Sequence, residues 1–128
     1  MATIFTKIIQ GEIPCYKVAE NDNNFAFLDI NPLTEGHTLV VPKREVDNIF
    51  DLTKKEYDEL LDFARIIAKK MQDSLDCKRV GVTVLGFEIP HAHIHLVPMN
   101  SESDMLFTNP KLNLSAEEFT VVLDKIKL

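Results

Sequence analysis

The chain has 128 residues, 45% of them hydrophobic and 27% charged, enough for one domain with one real core but not comfortably for two. A net charge of −6 argues against a general electrostatic grip on a nucleic-acid polymer, so any nucleotide contact must be local. No apolar run is long enough to span a bilayer, no basic-then-apolar leader is visible, and the only cysteines, Cys15 and Cys77, form no CxxC pair; the expectation is a single domain over residues 1–128 in a reducing cytoplasm, with no membrane partner.

In chain order, Ile4, Phe5, Ile8 and Ile9 mark the apolar stripe of a short first helix that ends at Gly11 and Pro14. Tyr16 to Glu20 reads as a strand, Asn21 to Asn24 as a turn, and Phe25 to Leu28 as the second arm of that hairpin. Asp29 to Gly36 is a loop rich in turn formers. His37 to Val41 is a third strand, stopped by Pro42. Thr53-Lys54-Lys55-Glu56 is a capping box that opens the longest helix, which runs to about Ser74. Tyr57, Leu60, Leu61, Ala64, Ile67, Ala68, Met71 and Leu75 follow helical spacing and are expected to pack on a sheet. Val80, Val82 and Val84 alternate as a fourth strand, and His91 to Val97 forms the fifth. Residues 99 to 114 show no periodicity and read as loop. Ser115-Ala116-Glu117-Glu118 caps a final helix with Phe119, Val122, Leu123 and Ile126 inward. The sum is an α+β domain: a mainly antiparallel sheet of five strands, one long helix packed on it, and short N- and C-terminal helices.

Three of the four histidines stand at His91, His93 and His95. Side chains alternate across a strand, so these three share one face while Ala92, Ile94 and Leu96 share the other. Neighbours on one face sit about 6.5–7 Å apart, which puts the outer pair about 13 Å apart, too far to ligate one small metal ion. The row can instead surround a ligand, with His93 aimed at it. If the strand of His37 lies beside theirs, all four imidazoles converge.

The segment from Asn31 to Lys43, the run His91-Ala92-His93-Ile94-His95-Leu96-Val97 and the start from Ile4 to Pro14 together resemble the histidine triad family, over residues 3 to 98 or so. The resemblance implies a homodimer of an α+β fold that hydrolyses or transfers nucleoside 5′-monophosphate groups, with purine phosphoramidates or related nucleotidyl conjugates as substrates. It implies that His93 is the nucleophile, attacking the α-phosphorus to form a covalent nucleotidyl-imidazole. His95 and His37 would hydrogen-bond the phosphoryl oxygens, and the His91 carbonyl would hold the tautomer of His93. By the same resemblance Phe5, Ile8, Ile13, Phe27 and Ile30 hold the base, and Asp29 accepts hydrogen bonds from the ribose diol.

The chain departs from that pattern in two places. Members with a zinc site use a CxxC pair near the N-terminus and further histidines. Here Thr3, Thr6 and Glu45 stand at those positions, hydroxyls do not replace thiolates at zinc, and neither a structural metal nor a cofactor is expected. Ahead of the triad, Phe87 stands where a glutamine assists the leaving group, and Glu88 where a small hydroxyl residue is usual. That puts dinucleoside polyphosphates in doubt as substrates and makes the leaving-group side more apolar. Two other readings stay open: a purine-nucleotide-binding protein with little catalysis, and a metal-dependent hydrolase that chelates through histidines at i and i+2 with His37 as a third ligand.

Overall fold

The computed structural model describes residues 2–128. Five strands, β1 (Lys17–Glu20), β2 (Asn24–Leu28), β3 (Thr38–Pro42), β4 (Arg79–Thr83) and β5 (Ile94–Met99), form one sheet in the order β1-β2-β3-β5-β4. Every neighbouring pair is antiparallel. The helices are α1 (Ile4–Ile9), α2 (Lys54–Ser74) and α3 (Ala116–Ile126). No helix among the described residues is long and apolar enough to cross a membrane.

The two faces of the sheet have different jobs. On one, Val18, Ala26, Leu28, Val40, Ile94 and Leu96 pack against Leu60, Ala64, Ile67 and Met71 of α2 and Phe119, Val122 and Ile126 of α3. Each fully buried large aliphatic there contributes about 1.5–3 kcal/mol of transfer free energy. On the other, Phe25, Phe27, Leu39 and Val41 pack only against Phe5 and Ile8 of α1 and a few partly buried neighbours. A six-residue helix cannot cover a five-stranded sheet, and what it leaves open is the cavity described below.

Both expected capping boxes are formed: Thr53 Oγ1 accepts from Glu56 N at 3.2 Å, and Ser115 Oγ accepts from Glu118 N at 3.1 Å. The inward face of α2 differs in detail from the sequence reading. Leu61 is 37% exposed and Phe63 is buried in its place. A 100° step per residue puts 60, 63, 64, 67 and 71 on one stripe, with 61 at its flank. Strand β5 begins at Ile94 rather than at His91, because His91 and Ala92 leave the ladder to bond elsewhere: Ala92 N donates to Val46 O.

Candidate active site

Gly36 sets up the first imidazole. Its φ is +98°, in the left-handed region, and a Cβ there would sit 2.7 Å from Leu75 Cδ1. Only glycine makes this turn cheaply. The chain thereby delivers His37 onto the same sheet face as Leu39 and Val41. Strand β5 lies alongside, with Leu39 opposite His95, so His95 projects to that same face. Ring nitrogens His37 Nε2 and His95 Nδ1 are 2.9 Å apart, and the His93 and His95 ring centroids 4.9 Å.

Hydrogen-bond geometry fixes the tautomers. Leu33 N–H donates to His37 Nδ1 at 3.0 Å, so a neutral His37 carries its proton on Nε2. That proton is donated to His95 Nδ1, which leaves the His95 proton on Nε2. His93 Nδ1 lies 2.8 Å from the His91 carbonyl; a carbonyl only accepts, so Nδ1 is protonated and neutral His93 has its lone pair on Nε2. Burial holds both members of the first pair neutral: it pushes His37 down to about 4 and His95 down to about 3, with Lys111 adding to the shift at His37 and the neighbouring histidines at His95. The 3.6 Å approach of His37 Nε2 to Asp29 Oδ2 is therefore not an ion pair at neutral pH.

The four imidazoles do not all converge. His37, His93 and His95 line the cavity, but the His91 side chain turns away. Its Nε2–H donates to Pro42 O at 2.7 Å, and its Nδ1 lies 2.9 Å from Thr3 Oγ1. The ring keeps to the same side as His93, with Phe5 edge-on to both rings, but these bonds hold it away from the cavity. The residues around it form a network. Thr3 N donates to Glu45 Oε1 at 2.8 Å, and Thr6 Oγ1 donates to the same oxygen at 2.7 Å. Thr3 is also the N-cap of α1. A hydrogen-bonded knot of Thr3, Thr6, Glu45 and His91 thus ties α1 to the segment that presents the His91 carbonyl to His93.

The cavity has two lobes that share Asp29, Asn31, Glu88, His93 and His95. One lobe, about 240 Å³, contains all five apolar residues expected to hold a base: Phe5, Ile8, Ile13, Phe27 and Ile30. Phe5, Ile8 and Phe27 are buried and also belong to the small core; Ile30 is 65% exposed at the rim. Phe5 stands edge-on to His93, ring centroids 5.0 Å apart. Asp29 lies where the lobes meet. Its Oδ1 accepts from Asn31 N at 2.8 Å, and burial raises its carboxyl above the usual range. Cys15 lines this lobe too, its thiol pushed up by burial.

The other lobe, about 340 Å³, is lined by Leu85, Gly86, Phe87, Phe107 and Lys111 besides the shared residues and His37. Phe107 packs edge-on against His95, centroids 4.9 Å apart. Phe107 and Lys111 lie in the aperiodic stretch after β5 and carried no signal in the sequence. Phe87, expected to make the leaving-group side more apolar, is 94% exposed at the lip.

Asp29, His37 and His95 each offer a ligand atom, all within 4.8 Å of one another. This set differs from the i, i+2 chelate considered from sequence: it joins the end of β2 and the start of β3 to β5 and omits His93. A cation there would have to displace the proton that joins His37 to His95.

The sequence model of the HIT domain matches residues 10–102. An HIT-like protein of Borreliella burgdorferi is 37% identical over 130 residues, covering 91% of this chain and 89% of that protein. The adenosine 5′-monophosphoramidase HNT1 of Saccharomyces cerevisiae is 35% identical over 106 residues, covering 82% of this chain and 67% of the yeast protein. Among solved structures, a Hit-like protein from Bartonella henselae superimposes with a TM-score of 0.82 at 27% identity, covering 98% of this chain and 94% of the other.

Proposed function

Since the chain belongs to the HIT-domain family, we propose that it is a nucleotide hydrolase that cleaves the P–N bond of purine nucleoside 5′-phosphoramidates, with His93 as nucleophile. One observation carries this reading: the His91 carbonyl fixes the proton on His93 Nδ1, leaving a basic Nε2 in a ring that lines both lobes. The similarity to a yeast adenosine 5′-monophosphoramidase supports the substrate class.

The base enters the apolar lobe, and Asp29 accepts hydrogen bonds from the ribose hydroxyls. The α-phosphorus then lies over His93. Nε2 attacks it, the P–N bond breaks with its electron pair going to the amine, and the amine takes a proton from solvent. The positive charge that develops on the imidazole is held by the Nδ1–H donation to the His91 carbonyl. Water attacks phosphorus in the second step, the bond to Nε2 breaks, and the water's proton returns to solvent, so neutral His93 is regenerated. His95 Nε2–H is a donor for a phosphoryl oxygen. Both nitrogens of His37 are already engaged, so His37 acts through His95 by fixing its tautomer, rather than touching phosphate as the resemblance suggested.

The test is incubation with adenosine 5′-phosphoramidate and mass analysis of the acid-quenched protein. An adenylate on His93, and turnover that survives exhaustive chelation, are the expected results. Loss of turnover on chelation would favour the Asp29, His37 and His95 metal reading. The exposed Phe87 at the leaving-group lip, in place of a hydrogen-bond donor, favours a second reading of tight nucleotide binding with little turnover. Calorimetric binding without hydrolysis would establish it.

We also propose that the protein is a homodimer joined through β4. Among the described residues this edge strand has no partner on its outer side, and Val82, Val84 and Leu85 on and beyond it are 59%, 38% and 46% exposed. Its charges, Lys78 and Arg79, stand exposed at one end, and the apolar remainder of the edge is a pairing surface. Val82→Lys is expected to shift the species seen by sedimentation from dimer to monomer. A wild-type protein that sediments as a monomer at micromolar concentration would end this reading.

A further inference from the structure

The charges around the leaving-group lobe do not suit an anionic substrate unless one residue corrects them. Asp29 and Glu88 both line it, and His37 and His95 are held neutral by burial. A bound nucleotide adds the negative charge of its phosphoryl group in a partly enclosed cleft, where like charges repel more strongly than in water. Lys111 is the only lysine or arginine that lines either lobe among the described residues.

Its position is built. Lys111 Nζ donates to Phe107 O at 2.5 Å and to Asn109 O at 3.2 Å. An ammonium has three donors, so one is left for a ligand. The Phe107 ring packs edge-on against both His95 and His37, and Leu112 N donates to Pro32 O at 2.9 Å. The loop that carries the ammonium is thus fastened on one side to the imidazole pair and on the other to the loop after Asp29. Two of these groups feel its charge: Asp29, whose carboxyl burial raises overall and Lys111 partly offsets, and His37, which burial lowers and Lys111 lowers further.

We propose that Lys111 is an anion-binding residue of this cleft, a third support for the phosphoryl group beside His93 and His95, recognising nucleoside 5′-monophosphates and their phosphoryl conjugates over nucleosides. The proposal rests on the nucleotide reading of the site. Its ammonium offsets the two carboxylates and gives the phosphoryl oxygens a fixed cation that the neutral histidines do not supply. A charge at a solvent-exposed mouth is screened, so the effect is moderate and salt-dependent.

Calorimetric titration of adenosine and of AMP into wild type, Lys111→Gln and Lys111→Arg tests it. The glutamine keeps a donor for the loop carbonyls without the charge; the arginine keeps the charge. The expected result is about tenfold weaker AMP binding in Lys111→Gln, adenosine binding unchanged, and AMP affinity largely restored in Lys111→Arg. Equal AMP affinity in wild type and Lys111→Gln would overturn the role of Lys111 while leaving the nucleotide site intact. Equal losses for AMP and adenosine would show a wall residue and overturn it too. A wild-type protein that binds no AMP would overturn the nucleotide reading itself, and this proposal with it.

Discussion

His93→Ala is expected to lower kcat/KM on adenosine 5′-phosphoramidate by at least about 10⁴-fold and to abolish the covalent adenylate. The size follows from what is removed. No other imidazole on the cavity can replace it: His37 has both nitrogens engaged, and His95 presents Nε2–H, a donor without a lone pair. His91 points away, toward Pro42 and Thr3. The variant should still bind AMP, because Phe5 and His93 share only one edge contact and the rest of the apolar lobe, with Asp29, is left in place. A drop in kcat with nucleotide affinity retained, read by calorimetry beside steady-state rates, separates a lost nucleophile from a collapsed pocket. Residual turnover within about tenfold of wild type would mean that water attacks directly, and the two-step scheme would fail.

The reasons this ring could be singled out in the sequence, while its neighbours could not, are physical. Period-two alternation assigned Ile94 and Leu96 to the core and His93 and His95 to the opposite side, and burial of Ala92, Ile94 and Leu96 against α2 and α3 agrees. The rule also gave the right side for His91, since Phe5 packs edge-on against both His91 and His93; what it could not give is the direction of the ring, which bonds to Pro42 and Thr3 ahead of the ladder's start at Ile94. The capping boxes at Thr53 and Ser115 were legible because they are built from residues three apart. Convergence of His37 with His95 depended on β3 lying beside β5, a long-range pairing that could only be posed as a condition. Phe107 and Lys111 were invisible because they act from an irregular loop, placed by its packing on His95 and its bond to Pro32, with no period to read. The knot around His91 escaped for a related reason: Thr3, Thr6 and Glu45 were read only as positions lacking metal ligands, whereas their hydroxyl and carboxylate groups join the same segments by hydrogen bonds.

The buried imidazole pair should also set the acid limit of the fold. His37 and His95 titrate near 6.5 in an unfolded chain and are pushed down to about 4 and about 3 in the folded one. The cause is burial first in both cases, and both side chains are nearly inaccessible. A base whose folded value is depressed binds fewer protons in the native state than in the unfolded state throughout the interval between the two values. Stability must therefore rise with pH across that interval and fall as pH drops below about 6.5. Each such histidine steepens the slope by up to about 1.4 kcal/mol per pH unit. Carboxylates such as Glu56, held down by Arg44, join only further into the acid range, while Asp29, raised by burial, acts in the opposite sense. The histidines therefore dominate between about pH 6.5 and 5. Urea midpoints measured across that window should fall steeply for wild type and much less for the double variant His37→Gln with His95→Gln, whose side chains take up no proton when released from the fold. The contrast is a difference of slopes and does not require the variant to equal wild type in absolute stability. Parallel slopes would mean that the pair is already protonated in the native protein. The relay from Leu33 through His37 to His95, and the neutral donor it presents to phosphate, would then both be wrong.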